Sequence, residues 1–116
     1  MIVGGCRGDS QVRLSAEQQA AIVREAEAIF TREHVAKLEY TKRLMPDANI
    51  SPTLTALGAE RVWLKPTGLY VRMEDGFVSE RGYYIPAPTV DQGSLSPHTD
   101  PSYIKVAENL YQYEYR

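Results

Sequence analysis

The triplet His98-Thr99-Asp100 is the most recognisable pattern of metal ligands in this sequence. A histidine and a carboxylate two residues apart supply two ligands of the facial triad that binds non-haem iron. A third ligand is required, and the other histidine, His34, lies in a charged, helix-forming segment. Because prolines flank the triplet on both sides, we expect it to shape a loop in which Thr99 or Asp100 caps a turn. The sequence therefore predicts no metal site.

Carboxylates in the second half of the chain are the remaining candidates for acid–base catalysis. These candidates are Glu74, Asp75, Glu80 and Glu114. Asp75 precedes a glycine, as tight turns favour, and Glu80 beside Arg81 is typical of a solvated face. Catalysis by such groups needs a pocket that shifts their pKa values, which a sequence does not show. We predict no catalytic residue, with an Asp/Glu site as the alternative.

Nucleophilic and nucleotide chemistry lack the required patterns. Cys6 is the only cysteine, so the chain forms no internal disulfide and no four-cysteine zinc site. No Gly-x-Ser-x-Gly turn occurs, and the glycines at positions 4, 5 and 8 lack the Lys-Ser/Thr pair of a phosphate-binding loop. The sequence predicts no cofactor.

Tyrosine is the residue type that stands out, because seven of the eight tyrosines lie from Tyr70 onward. Tyr111, Tyr113 and Tyr115 alternate with polar residues, which places all three on one face of a β-strand. Either this face packs on a helix with the hydroxyls at its rim, or it binds a partner. The predicted interaction surface comprises Tyr40, Leu44, Trp63, Tyr111, Tyr113 and Tyr115.

A long helix is expected before these residues. Ser15 and Gln18 form a capping-box pattern, and no glycine or proline occurs from Ala16 to about Met45. The apolar stripe comprises Ile22, Ala26, Ile29 and Phe30, then Ala36 and Tyr40, with weaker periodicity from 31 to 34. About 30 helical residues would extend about 45 Å, more than one such domain covers. We expect a bend, or a projecting half that docks on a second copy in a homodimer near Tyr40 and Leu44.

The remaining elements are short antiparallel strands. Five strands are predicted, at 61–65, 69–73, 77–78 continued by 83–85 across a bulge at Gly82, 103–106 and 110–115, with a short helical turn at 52–57. One amphipathic helix can cover one apolar sheet face. The fold class is therefore α+β, with one long N-terminal helix on a four- to five-stranded antiparallel sheet. Residues 1–13 are interpreted as a flexible leader, and 14–116 as a single domain.

Charge and hydropathy narrow the partners. The 13 basic and 15 acidic residues are interspersed, so no basic footprint for nucleic acid is present. No apolar run approaches the ~20 residues of a membrane helix, and a cytoplasmic location is the default expectation. Val3-Gly4-Gly5-Cys6 resembles the small-residue run before the lipidated cysteine of bacterial lipoproteins, which leaves an exported, lipid-anchored form open.

Two function classes remain. The cadence of residues 68–103, from Gly68-Leu69-Tyr70-Val71 to Asp100-Pro101-Ser102-Tyr103, resembles short bacterial proteins and implies no activity. We expect a small non-enzymatic module that binds another protein or itself. The alternative is a small-ligand-binding protein or enzyme of the helix-on-curved-sheet kind, similar to cystatin-like folds. A pocket of a few hundred Å³ with convergent polar groups favours the ligand class, and a flat aromatic patch favours the protein-binding class.

Overall fold

The computed structural model describes residues 14–44, 52–59, 61–75 and 80–115. Helix α1 spans Ala16–Arg32 and begins at the predicted capping box. The amide of Gln18 donates to the Ser15 hydroxyl oxygen at 3.1 Å, and the Ser15 amide donates to the Gln18 side-chain oxygen at 2.8 Å. These two bonds satisfy backbone donors that have no partner inside the helix, so the helix start is locally encoded.

The helix ends earlier than its composition predicts. Instead of continuing to Met45, α1 stops at Arg32, and His34 adopts a left-handed backbone with φ 55°. A short 3-10 turn, Val35–Lys37, follows and buries Val35. After this turn the Lys42 ammonium lies beside the Glu33 carboxylate. Its hydrogen bond, together with that of Arg32, lowers the pKa of the Glu33 carboxyl. Burial of Val35 and Leu44 in the same core therefore outweighs the helix propensity of residues 33–45.

Six antiparallel strands and a second short helix complete the described chain. Their bounds are β1 Lys42–Arg43, α2 Pro52–Ala56, β2 Arg61–Lys65, β3 Gly68–Asp75, β4 Glu80–Pro86, β5 Ser102–Ala107 and β6 Leu110–Tyr115. A further 3-10 turn spans Gln92–Ser94. The predicted α+β class, with one N-terminal helix on an antiparallel sheet, is confirmed, and the two-residue β1 extends the five longer strands. The leader at 1–13 and the predicted strand at 77–78 lie outside the described residues.

The strand order in the sheet is β1-β2-β3-β4-β6-β5. The β2–β3 hairpin turns at Pro66-Thr67, and the β5–β6 hairpin turns at Glu108-Asn109. Between β4 and β5 the chain passes along residues 87–101 to the far edge, so β6 returns between β4 and β5. The C-terminal tyrosine strand is therefore an interior strand, paired on both sides.

One face of the sheet packs against α1. We call this the inner face; its buried side chains include Val62, Leu64, Leu69, Val71, Tyr83, Ile85 and Leu110. The helix contributes the first part of the predicted stripe, Ile22, Ala26, Ile29 and Phe30, all buried. Ala36 and Tyr40, which were predicted to continue the stripe, lie beyond the end of α1 and are exposed. Leu54 of α2 joins this inner core with no exposed surface. The helical period and the strand period thus meet in one apolar layer, which is the basis of a two-layer fold.

A β-bulge interrupts β3 opposite Gly82. Arg72 pairs with Gly82, but Glu74 pairs with Arg81, so Met73 is the extra residue. The bulge predicted at Gly82 lies at this point, with the extra residue on the partner strand. A Cβ at Gly82 would lie 2.0 Å from the Val71 carbonyl oxygen, so the close approach of β3 requires glycine.

Candidate functional site

The sheet face opposite α1 carries a second, self-packed layer of rings. Strand alternation sends Val62 and Leu64 inward and Trp63 outward, and the same alternation holds along β3, β4 and β6. We call these rings the outer aromatic cluster; it comprises Trp63, Tyr70, Tyr84, Tyr103, Tyr111, Tyr113 and Tyr115, with Leu95 packed against it. The cluster lies on the side of the sheet that α1 does not cover.

The three C-terminal tyrosines share one face, as their spacing predicts, but the face is not the one that packs on the helix. Leu110 points into the inner core, whereas Tyr111 and Tyr113 are buried among tyrosines of neighbouring strands. Tyr84 is the direct cross-strand partner of Tyr111. The expectation that alternate tyrosines pack on the helix is therefore wrong for this strand.

Ring contacts bury much of the cluster, and none of the described helices covers it. The ring centroid of Tyr70 lies 4.6 Å from that of Tyr84 and 5.0 Å from that of Tyr113, the latter edge-to-face at 84°. Tyr84 also contacts Tyr103 at 5.0 Å. Offset and edge-to-face pairs stabilise beyond their buried area, by about 0.5–1.5 kcal/mol each. These contacts hold the tyrosine rings of neighbouring strands against one another.

The hydroxyls of the buried tyrosines of the cluster find partners within the protein. Tyr113 donates to the Glu80 carboxylate at 2.6 Å, and Tyr84 donates to the Thr67 carbonyl oxygen at 2.6 Å. The hydroxyl oxygens of Tyr70 and Tyr103 lie 2.6 Å apart. These bonds fix ring orientations and remove the cost of burying polar groups.

Burial changes the acidity of these phenols. Desolvation raises the pKa of Tyr70, Tyr84 and Tyr113, because the charged phenolate is disfavoured away from water. For Tyr113 the bond to Glu80 raises the pKa further, since the carboxylate accepts from the protonated phenol. The buried phenols are therefore protonated near neutral pH and act as hydrogen-bond donors, not as bases.

The segment between β4 and β5 covers one end of the cluster. Leu95 packs on the rings, and the Gln92 side-chain oxygen accepts from the Tyr111 hydroxyl at 3.0 Å. The Gln92 amide nitrogen also donates to the Asn109 side chain at 2.8 Å. The other described segments leave the opposite end of the cluster, near Trp63, open.

A groove of about 390 Å³ occupies the open end. We call it the aromatic groove; it is lined by Thr41, Trp63, Lys65, Tyr70, Glu80 and Tyr115. Lys65 lies at the end of β2 and Glu80 at the start of β4, so they approach from opposite ends of β3. The Lys65 ammonium lies 4.6 Å from the ring centroid of Tyr70 and 5.8 Å from that of Tyr115. A cation over ring faces is stabilised by the ring quadrupole.

The structure separates the residues of the predicted interaction surface. Trp63 and Tyr115 line the groove, while Tyr111 and Tyr113 are buried beneath the surface of the cluster. Tyr40 is 78% exposed and precedes the groove residue Thr41. Leu44 is 2% exposed and belongs to the inner core, so its side chain contributes no surface in this chain.

The predicted polar candidates do not converge. Glu80 lies on the outer face, but Glu114 lies on the inner face, where it pairs with Arg81 at 3.3 Å. Thr99 shapes its loop as expected, since its hydroxyl donates to the Pro101 carbonyl oxygen at 2.7 Å. Within the described ranges, no cluster of three or more His, Cys, Asp or Glu side chains could hold a metal ion. Cys6 lies outside those ranges, and the side chains of Glu74 and Asp75 are not described.

The sequence interpretation missed three groove residues, Thr41, Lys65 and Tyr70. Lys65 and Tyr70 flank the predicted Pro66-Thr67-Gly68 turn, and the strand period places Trp63, Lys65 and Tyr70 on one face. That signal was available once the hairpin was predicted. Thr41 carried no comparable signal, because it lies in the segment predicted to be helical.

Comparisons with known proteins add no family. No protein-family model, no curated protein and no solved structure matches this chain. In the part of the chain that the structure describes, no helix is both long and apolar enough to cross a membrane.

Proposed function

We propose that this chain is a non-enzymatic binding module that recognises a protein partner through the aromatic groove. The observation that carries the proposal is a groove whose aromatic walls are held in place before any ligand arrives. Tyr70 and Tyr115 are tied into the outer aromatic cluster by ring contacts, and Tyr70 also by a hydroxyl contact. Tyr and Trp offer large contact areas at a low cost in conformational entropy, as binding surfaces require.

The side chains of the groove support binding more than acid–base catalysis. Tyr70 is kept protonated by burial, so it does not serve as a base near neutral pH. The Glu80 carboxylate already accepts a hydrogen bond from the Tyr113 hydroxyl. Held in this way, both groups are suited to orient a ligand.

A small organic ligand is the second candidate, because the groove volume of about 390 Å³ falls in the range of small-molecule sites. In that case Glu80, as an Asp/Glu acid or base, is the residue placed to act on the ligand. The open end of the cluster favours a longer occupant that continues beyond the groove. We therefore give priority to a protein segment.

Self-association is an alternative mode of protein binding. The projecting half-helix that suggested a dimer is not formed, but β5 is an edge strand and Ile104 on it is 56% exposed. Lysine and a bulge protect such edges, and β5 has both, at Lys105 and between Lys105 and Ala107. Light scattering over a concentration series distinguishes a second copy from a foreign partner.

A random peptide library displayed against the full chain tests the proposal. Selected peptides, synthesised singly, should change the fluorescence of Trp63, which is the only tryptophan and lines the groove. They should also shift its indole N–H resonance in the intact protein. Fluorescence anisotropy of labelled peptides then gives affinities that do not depend on tryptophan.

Matched variants complete the test. Trp63→Ala should weaken the selected peptides roughly thirtyfold, as truncation of an interface hot spot does. Ile104→Ala removes an exposed apolar side chain on β5, outside the groove, and should change affinity less than twofold. Binding that depends on Ile104 and not on Trp63, or a library without binders, contradicts the proposal. A Trp63-dependent small molecule with no peptide binder supports the second candidate.

A further inference from the structure

We infer that the partner segment carries an acidic side chain, which binds Lys65, beside an apolar side chain that packs on Trp63. The inference rests on the proposed function and specifies its ligand. The observation behind it is the placement of charged side chains on the outer face of β2 to β4.

Lys65 is the positively charged residue that lines the groove. Its ammonium lies over the rings of Tyr70 and Tyr115, and no described carboxylate lies within salt-bridge distance of it. Ring faces compensate a cation only in part, whereas a carboxylate gives it a charge-assisted hydrogen bond. The groove thus presents a positive charge that an incoming anion can pair without breaking an existing ion pair.

Two arginines lie on the same outer face as Lys65. Arg61 of β2 and Arg72 of β3 are direct cross-strand partners. Strand alternation places both side chains on the outer face, as it does Trp63 and Tyr70. Together with Lys65 they make the described outer face of these strands basic, although the whole chain has a net charge of −2. The described charges of β2 and β3 on this face therefore favour an anionic ligand, while the groove itself is lined by Lys65 and Glu80.

The carboxylate of Glu80 distinguishes an acidic protein segment from a nucleic acid as the ligand. Glu80 lines the same groove and keeps its carboxylate there through the bond from Tyr113. A fixed negative charge repels the phosphates of a polynucleotide, which recur at every step of its backbone. A polypeptide can place one carboxylate at Lys65 and uncharged groups at Glu80. Mixed charge therefore favours a protein segment with a single acidic position.

Two lysine variants with the same charge change test this inference. Lys65→Gln should weaken peptides from the library selection about tenfold, the equivalent of about 1.4 kcal/mol, and Lys65→Arg should restore most of the affinity. Lys105→Gln removes one positive charge from an exposed position on β5, outside the groove, and is expected to change affinity less than twofold. The selected sequences should share Asp or Glu next to an aromatic or aliphatic residue. Replacing that acid with its amide should weaken wild-type binding by the same factor and have little further effect on Lys65→Gln.

The outcomes separate the two proposals. Peptides that depend on Trp63 but show no acidic preference and no Lys65 dependence overturn the acidic ligand and leave the groove intact as a binding site. A fluorescein-labelled single-stranded DNA 12-mer of mixed sequence serves as the nucleic-acid probe. If it binds in a Lys65-dependent manner more tightly than every selected peptide, the protein ligand is wrong. Peptides without Trp63 dependence contradict both proposals.

Discussion

The hydroxyl of Tyr113 donates a 2.6 Å hydrogen bond to the carboxylate of Glu80, joining the interior of the outer aromatic cluster to the wall of the groove. Tyr113 is 2% exposed and lies on the strand between β4 and β5. Through this bond a buried ring restrains a groove carboxylate, so packing of the cluster and geometry of the groove are linked.

Tyr113→Phe removes this bond. We expect a loss of about 1.5 kcal/mol in the free energy of unfolding, since hydrogen bonds to charged groups contribute more than neutral ones. Tyr111→Phe is the matched control, because the Tyr111 hydroxyl donates to the neutral Gln92 side chain. Its expected cost is about 0.5–1 kcal/mol. Urea unfolding measures both, and a larger loss for Tyr111→Phe would contradict the assigned strength of the Glu80 bond.

Alkaline pH should destabilise the fold through the same cluster. Burial raises the folded-state pKa of Tyr70, Tyr84, Tyr103 and Tyr113, whereas unfolded tyrosine releases its proton near pH ~10. Above that pH the unfolded chain binds fewer protons than the folded chain, so stability falls as pH rises. Below pH ~10 the contribution is fully present.

Urea midpoints at about pH 8 and about pH 11 measure this loss, and tyrosinate absorbance should rise together with unfolding. The Tyr113→Phe variant, which has one buried phenol fewer, should lose less stability over this interval than the wild type. Full ionisation of the cluster tyrosines in a chain that remains folded would refute the predicted dependence.

Phe30→Ala tests the inner core. Phe30 is 5% exposed on the buried face of α1, and truncation of a buried phenylalanine costs about 3–5 kcal/mol through lost burial and the cavity left behind. Tyr40→Ala serves as the control, since that ring is 78% exposed, and should cost under about 0.5 kcal/mol. Equal melting temperatures for the two variants would mean that α1 buries another face.

His34→Gly tests the turn that ends α1. His34 has φ 55°, a left-handed conformation that costs a non-glycine residue about 1 kcal/mol, so glycine should stabilise the protein by about 0.5–1 kcal/mol. Asn109 also has a positive φ, 59°, but its side chain accepts a bond from Gln92. Asn109→Gly should therefore give no gain. Thermal unfolding of both variants checks the contrast, which fails if His34→Gly is destabilising.

Gly82→Ala tests the close approach at the bulge. The added Cβ would meet backbone atoms of Val71 and Arg72, which cannot move aside as a side chain can, so we expect a loss of several kcal/mol. Gly93→Ala is the control, because its nearest contact is the Asp91 side chain at 3.3 Å. Circular dichroism during heating measures both, and a mild effect at Gly82 would show that the strands can separate locally.

Several parts of the fold were predictable because their signals are local. The capping box at Ser15, the stripe ending at Phe30 and the hairpin around Pro66 each depend on residues a few positions apart, and all three are present in the structure. The weak apolar periodicity from 31 to 34 indicated a bend near the place where α1 ends, but the turn that replaces the helix was not predictable in this way, because residues 33–45 favour a helix locally. Burial of Val35 and Leu44 in a shared core decided the turn at His34, and that contact is distant in sequence.

Part of the candidate site was likewise predictable from local signals, and part was not. From the sequence alone, the period of two determined that Tyr111, Tyr113 and Tyr115 lie on one side of their strand. Which side of the sheet that is, and which rings surround it, depended on pairing with β4 and β5. The groove also required Lys65 and Glu80 to approach from opposite ends of β3. Periodicity is a property of one strand, whereas register and a shared cavity are properties of several, so only the tertiary structure determined them.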